Sequence, residues 1–352
     1  MQSTSRDGIH ATFKAGHQEY AVLSFTGTEG LNEPYCFTLT IHAPDLLSPD
    51  VILGQPAQLT LRSSISDAWP MARPFAGVVT HHRILNADSW DAIRIELTLR
   101  PRLSLLSHSS EPRVYLNQSA QELARHILLK HGYDYGQLRF FDSYLTEKTR
   151  YPHWVQAEGE DDFRFLHRVL AREGISYFWR FLHPGEESLD FVDDTHFYPD
   201  VLGPQLHLAE PGGFSSTDLN ALSDLNRTEQ AATYRVTYRD FDPSDPERVM
   251  EVHAGEGARP VMVWGIGAQS HQHLQRAATH HHQQLMMRQL EYEARSANPF
   301  LPAGHGIRIR RIPYWLTEES FLLLNVAHRF QDGVYDNTLS FIPSTRRCDR
   351  NR

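Results

Sequence analysis

Apolar residues recur at every second position over long stretches of this sequence, and that period constrains the fold more than any other feature. Tyr35, Phe37, Leu39 and Ile41 alternate with polar neighbours, as do Ala57, Leu59 and Leu61, and Ile93, Ile95, Leu97 and Leu99. Side chains two apart point to one face of a strand, so each run predicts one face in a core. Segments 27–30, 48–50 and 87–91 read as turns between the strands. Several short strands at this spacing imply a barrel or a sandwich.

The pattern changes after Pro112. Ser119 followed by Glu122 is a capping box, with Leu123, Ile127 and Leu128 on one face and Gly132 as the stop. A second helix is predicted over about 160–173. Glu160, Asp161 and Asp162 sit at its positive end, Phe163, Leu166 and Leu170 share a face, and Gly174 ends it. An aromatic strand follows from Ile175. Residues 183–232 carry Pro, Gly, Asp and Asn clusters and read mostly as loops. Strands resume at 234–241 and 260–264, a third helix spans about 270–287, and alternating strands fill 290–294, 307–309, 321–330 and 335–342. A faint internal echo links the hairpin pattern over 75–101 to that over 323–343. Each places Val-Thr-His or Val-Ala-His on its first strand and closes the second with a proline, Pro101 or Pro343, which cannot continue a central ladder.

Composition narrows the function. The 352 residues include 18 Phe, 14 Tyr and 6 Trp spread along the chain, which excludes disorder as the main state. Lys and Arg number 34 against 43 Asp and Glu, a formal charge of −9, whereas a general nucleic-acid binder needs a net basic face. The longest apolar run, 321–327, is broken by Asn325 and falls far short of the ~20 residues that cross a bilayer. No apolar stretch follows the N-terminus, so no signal peptide is expected. Cys36 and Cys348 are too few for a disulfide scaffold or a Cys-only metal site. The 21 histidines would reverse the sign of the net charge if all were protonated, which leaves a pH response between about 5 and 7 beside the plainer reading of exposed polar residues.

Four motifs invite chemistry. On the third helix His271, His273, His280, His281 and His282 suggest a metal, but paired ligands on one helix sit three or four residues apart. His273 and His280 lie two turns apart, about 10 Å, so no metal is expected and the helix reads as mostly solvated. Gly265 and Gly267 follow a strand and precede a helix as in a dinucleotide turn, but Ser270 stands where the third glycine belongs, so no cofactor is expected. Glu158, Glu160, Asp161 and Asp162 could supply a glycosidase pair, although the helix dipole already accounts for acids there. Arg308, Arg310, Arg311 and the basic tail 346–352 read as solvated patches. No convergent catalytic set emerges.

The segment from Trp154 and Gln156 through Glu158, Asp162, Phe163, Leu166 and Leu170 to Glu173, Gly174, Ile175, Tyr177 and Phe178 resembles the signature of the VgrG spike proteins of bacterial type VI secretion, themselves similar to contractile phage baseplate hubs. Residues 29–37, 54–57, 75–79, and 301–304 with 323–343 look like further motifs of that family, so the resemblance covers nearly the whole chain. It implies a mainly β (α+β) fold, with two related antiparallel β-barrel tube domains and intervening α+β structure. It further implies a homotrimer without catalysis, forming a pseudo-sixfold ring on the hexameric Hcp tube, with baseplate components and effector or adaptor proteins as partners. Neither nucleic acid nor membrane insertion belongs to that reading. Such proteins assemble in the bacterial cytoplasm and are ejected through the apparatus without a signal peptide. The family usually continues into a neck and a needle, so this sequence is expected to be a fragment or a short form that borrows a tip.

The expected domains are a first barrel over 1–105, an α+β intermediate over 106–232 and a second barrel with a long helix over 233–352. The residues expected to matter are structural: Gly77 for close packing in the first barrel, Glu173 and Gly174 for the turn from helix to aromatic strand, and Pro101 and Pro343 for closing equivalent strands. A phage-particle hub and a cell-wall hydrolase remain the alternatives.

Overall fold

Two closed six-stranded barrels share one continuous sheet. The computed structural model describes residues 8–43, 47–65, 69, 72–85, 93–141, 149–181, 183–210, 217–231, 234–242, 245–268, 270–287 and 289–344. The turn expected at 87–91, the chain start, Cys348 and the basic tail 346–352 lie outside them.

The first barrel comprises β1 (Ile9–Ala15), β2 (Gln18–Gly30), β3 (Glu33–Ala43), β4 (Pro56–Ser63), β5 (Ala72–Ile84) and β6 (Ile93–Arg100), with the short helix α1 (Pro49–Ile52) before β4. Its strands run in the order β1-β4-β5-β6-β3-β2, and β2 closes back on β1. The intermediate segment holds β7 (Arg113–Gln118), α2 (Ala120–Lys130), β8 (Leu138–Phe141), β9 (Tyr151–Gln156), α3 (Asp162–Arg172), β10 (Ser176–Arg180) and β11 (Ser188–Val192). Here β7 pairs with β9, and β10-β11-β8 form a three-stranded sheet. Next come β12 (Leu206–Leu208) and β13 (Ala221–Glu229), and then an insertion made of β14 (Tyr234–Asp242), β15 (Asp245–Ala254), β16 (Arg259–Trp264) and α4 (His271–Met286). The second barrel is completed by β17 (Leu290–Ser296), β18 (Gly306–Arg310), β19 (Ser320–Gln331) and β20 (Val334–Pro343).

The second barrel runs β12-β18-β19-β20-β17-β13 and closes on β12, which is the order of the first barrel strand for strand. The repeat therefore sets β1 against β12, β2 against β13, β3 against β17, and β4-β5-β6 against β18-β19-β20. One difference is directional: β1 is antiparallel to both neighbours, whereas the three-residue β12 is parallel to both of its own. A bulge in each hairpin fixes the alignment. Thr80 is the extra residue between the pairs Val79–Leu99 and His81–Thr98, and Leu324 is the extra residue between Leu323–Phe341 and Asn325–Ser340. Val79 thus matches Leu323. The shared Val-x-His of the two hairpins is out of register by three residues, although the hairpins themselves correspond.

Pairing also redraws the segment read as loops. β11, β12 and β13 all lie within 183–232, and the last two belong to the second barrel. Residues 234–286 form a separate three-stranded sheet covered by α4, with a core of Val236, Tyr238, Val252, Leu274, Ala277 and Ala278. The segment 27–30 is the end of β2, not a turn.

The first barrel's core is continuous with that of the intermediate segment. Tyr35, Phe37 and Phe75 from the barrel belong to the same buried cluster as Leu123, Phe165, Trp179 and Phe191. Both helices that pack there end as their sequences dictate. In α3 the Ile175 N–H reaches the Leu170 carbonyl and the Gly174 N–H that of Ala171, with Gly174 at φ +68°. This is a Schellman termination, and the buried Ile175 and Leu170 supply its apolar pair. At the start of α2 both bonds of the Ser119–Glu122 capping box form.

Candidate functional site: the barrel junction

The barrels meet along one ladder, where residues 24–30 of β2 pair antiparallel with 325–331 of β19. Gly27 lies opposite His328. An ideal Cβ on Gly27 would lie 2.1 Å from the Phe37 ring, so the glycine lets that ring reach the junction. Phe25 stacks on Phe330 at 5.4 Å between centroids and meets Phe37 edge-on at 5.9 Å.

A charged cluster is sealed at this seam. Arg73 Nη2 donates to both Glu29 carboxylate oxygens, at 2.7 and 2.6 Å, while its Nη1 donates to the Pro299 carbonyl at 3.0 Å. The guanidinium lies 4.6 Å from the Phe75 ring centroid and 4.7 Å from that of Phe181. His328 Nε2 sits 3.1 Å from Glu29 Oε1, and its Nδ1 sits 2.6 Å from the Tyr335 hydroxyl. Glu29, Arg73 and His328 are all buried. Burial opposes ionisation of Glu29, but Arg73 and His328 together bring its pKa below the ordinary carboxylate value. Burial also lowers the His328 pKa, against the pull of Glu29. A sealed ion pair reaches no substrate. The pair itself lies within the first barrel, and it ties the second to it through two contacts, Glu29 with His328 and Arg73 with the Pro299 carbonyl, while either charge left alone in that interior would be costly.

The residues singled out from sequence occupy three places. Gly77 lies beside the end of β6, where an ideal Cβ would be 2.3 Å from the Arg100 carbonyl oxygen. Pro101 follows β6 directly, and Pro343 ends β20 opposite Phe321. In the barrel alignment Leu99 matches Phe341, so Pro101 matches Pro343 and Gly77 matches Phe321. Glu173 and Gly174 lie at the contact between α3 and α4. The Glu173 carboxylate accepts from the Tyr151 hydroxyl and lies 3.5 Å from His273 Nε2 and 3.6 Å from Arg276 Nη2.

The histidine helix is not the solvated face expected of it. His273 is buried, with Nε2 2.6 Å from the Tyr151 hydroxyl. His280 packs on Gly174, His281 Nδ1 lies 3.1 Å from the Tyr238 hydroxyl, and the His282 ring lies against Gly255. These side chains dock α4 onto its sheet and onto α3. The acids of α3 are engaged as well. Asp161 caps the Arg164 N–H at 2.8 Å and Glu160 pairs with Arg168 at 2.7 Å. The buried Asp162 meets Gln156 Nε2 at 2.8 Å and His131 Nε2 at 2.7 Å. At the glycine turn the Ala268 N–H already donates to the buried Asp240 carboxylate at 2.7 Å, a negative charge where a dinucleotide would bring its phosphate.

Sequence reasoning passed over Glu29, Arg73 and His328. The only signal available was a buried-strand pattern carrying charges, and it emerges only once the ladder is known.

The family described as phage tail baseplate hub (GPD) matches residues 28–334. The type VI secretion system spike protein VgrG5 of Pseudomonas aeruginosa is 27% identical over 328 residues, covering 88% of this chain. The chain spans 38% of that relative's length. Among solved structures, the E. coli c3393 protein, a component of the type VI secretion system, superposes with a TM-score of 0.68 at 22% identity, over 95% of this chain and 77% of that one. The 43 kDa tail protein of prophage MuSo2 from Shewanella oneidensis gives 0.65 at 12% identity, over 96% and 98%.

Proposed function

The chain belongs to the phage tail baseplate hub family, and on that premise we propose that it is the ring-forming hub of a type VI secretion spike. Three copies place six barrels around one axis, so that a threefold assembly offers nearly sixfold geometry to the end of the hexameric Hcp tube. The observation that carries this reading is the duplication: the two barrels share one strand order and one hairpin bulge position. A closed cyclic trimer of a twice-repeated unit resolves the mismatch between three and six, which a twofold dimer cannot do.

The role is mechanical. The β2–β19 ladder and the sealed Glu29–Arg73–His328 cluster hold the two barrels as one body that passes force from tube to tip. Effector or adaptor proteins and baseplate components are its further partners. Assembly takes place in the bacterial cytoplasm, and export follows through the apparatus itself. The same ring on a phage or phage-like particle is the second reading, favoured by the near-complete mutual coverage with a prophage tail protein.

Light scattering during size exclusion tests the proposal. A mass near three times 40.5 kDa, with co-elution of added Hcp rings, is expected. A monomer that ignores those rings would overturn it.

A further inference from the structure

The ladder joining the barrels within one chain uses half of each strand, and the duplication leaves the matching halves open. In β2, residues 18–21 pair with β1 and residues 24–30 with β19. In β19, residues 320–322 pair with β18 and residues 325–331 with β2. The counterpart of β2 is β13, whose pairing with β12 stops at Leu222. The counterpart of β19 is β5, whose pairing with β4 stops at Val78, with one further bridge from Leu53 to Val79. Beyond those points β13 has only β17 beside it and β5 only β6, among the described residues.

Resting on the ring proposed above, we propose that β13 of one copy pairs antiparallel with β5 of the next, repeating between copies the β2–β19 ladder found within each. The registers fix the partners. Gly27 pairs with Phe37, Phe37 matches Tyr292, and Tyr292 pairs with Arg227, so Gly27 matches Arg227 and Glu29 matches Glu229. The paired bulges match Asn325 to His81, Val326 to His82 and His328 to Ile84. The observed pairs Gly27–His328 and Glu29–Val326 thus become Arg227 opposite Ile84 of the next copy and Glu229 opposite His82 of the next copy.

The burial pattern fits. Glu29, Val326, His328 and Phe330 are buried in the ladder that forms, whereas Arg227, Thr228, Glu229, His81, Arg83 and Ile84 are exposed, Ile84 at 50%. Two different strands meet, so the contact is head-to-tail, the kind that builds a ring when its rotation closes.

Cysteine pairing tests the register in a Cys36→Ser, Cys348→Ser background. Opposed residues of an antiparallel pair have Cα atoms roughly 4.5–5.5 Å apart, within disulfide reach. Mixing Glu229→Cys chains with His82→Cys chains is expected to yield a disulfide dimer joining one of each. The double variant should yield a covalent trimer. Glu229 is exposed and His82 half-buried near the end of its strand, and circular dichroism checks that the variants fold. If light scattering shows a trimer, yet these positions link no faster than Glu229→Cys with a cysteine at the exposed Tyr314, the strand pairing is wrong and the ring stands. A chain that stays monomeric overturns both.

Discussion

Replacing Gly174 by alanine probes the contact between the end of α3 and α4. Two effects add. Gly174 sits at φ +68°, where a side chain raises the backbone energy by roughly 1–2 kcal/mol. An ideal Cβ there would also lie 1.7 Å from His280 Nδ1, so the imidazole must leave its place against α3, and overpacking of this kind costs about 1–3 kcal/mol. Gly174→Ala is therefore expected to destabilise by roughly 2–5 kcal/mol in urea unfolding followed by tryptophan fluorescence at fixed protein concentration. In a His280→Ala background the second effect is gone, and the same substitution should cost only the backbone share. The cycle thus predicts a coupling of about 1–3 kcal/mol between positions 174 and 280. An equal cost in both backgrounds would refute the account, because it would mean that His280 does not pack on the turn.

Arg73→Met strands the buried Glu29 carboxylate and should cost about 3–5 kcal/mol by urea denaturation, with Glu29→Gln in addition recovering part of the loss; no recovery would deny the pairing. Burial holds His305 neutral, lowering its pKa to about 4, while the unfolded chain titrates near 6.5. The unfolded state binds the extra proton between those values, so this contribution is present above pH 6.5 and is lost as pH falls toward 4. The thermal midpoint of His305→Asn should accordingly depend less steeply on pH than that of the parent across that window, and parallel curves would contradict the burial. Converting Glu158, Glu160, Asp161 and Asp162 to amides should lower the melting temperature, chiefly through the lost Asp161 cap and the Asp162 contacts, with no cell-wall hydrolysis present before or after. Hydrolysis by the parent that the amides abolish would support the enzyme reading.

What the sequence reveals depends on whether one face of an element meets water. β3 reads clearly because Tyr35, Phe37, Leu39 and Ile41 are buried while the residues between them are not. β11 leaves no such mark, since all five of its residues are buried and no period survives. β13 hides for the opposite reason: Ala221 and Leu222 are buried, but most of its remaining residues are exposed polar ones. Gly27 and Gly30 imitate a turn although they lie in a strand, because the space a Cβ at Gly27 would need belongs to Phe37. The histidines of α4 look solvated by composition, and only tertiary partners such as Tyr151 and Tyr238 give them their packing roles. The junction cluster is the extreme case. Glu29 and Arg73 are 44 residues apart and Glu29 and His328 are 299 apart, so no local pattern unites them. Helix ends fare better, because a capping box or a terminal glycine is a local device legible from a few residues.

The central claim is that one chain carries two equivalent barrels so that three chains can make six. Class averages of the purified assembly by electron microscopy, viewed down its axis, test it most directly. Six similar lobes around a hollow centre, with alternate lobes distinguished by the 234–286 insertion, are the predicted result. A ring with any other lobe count, or single two-lobed particles alone, would contradict it.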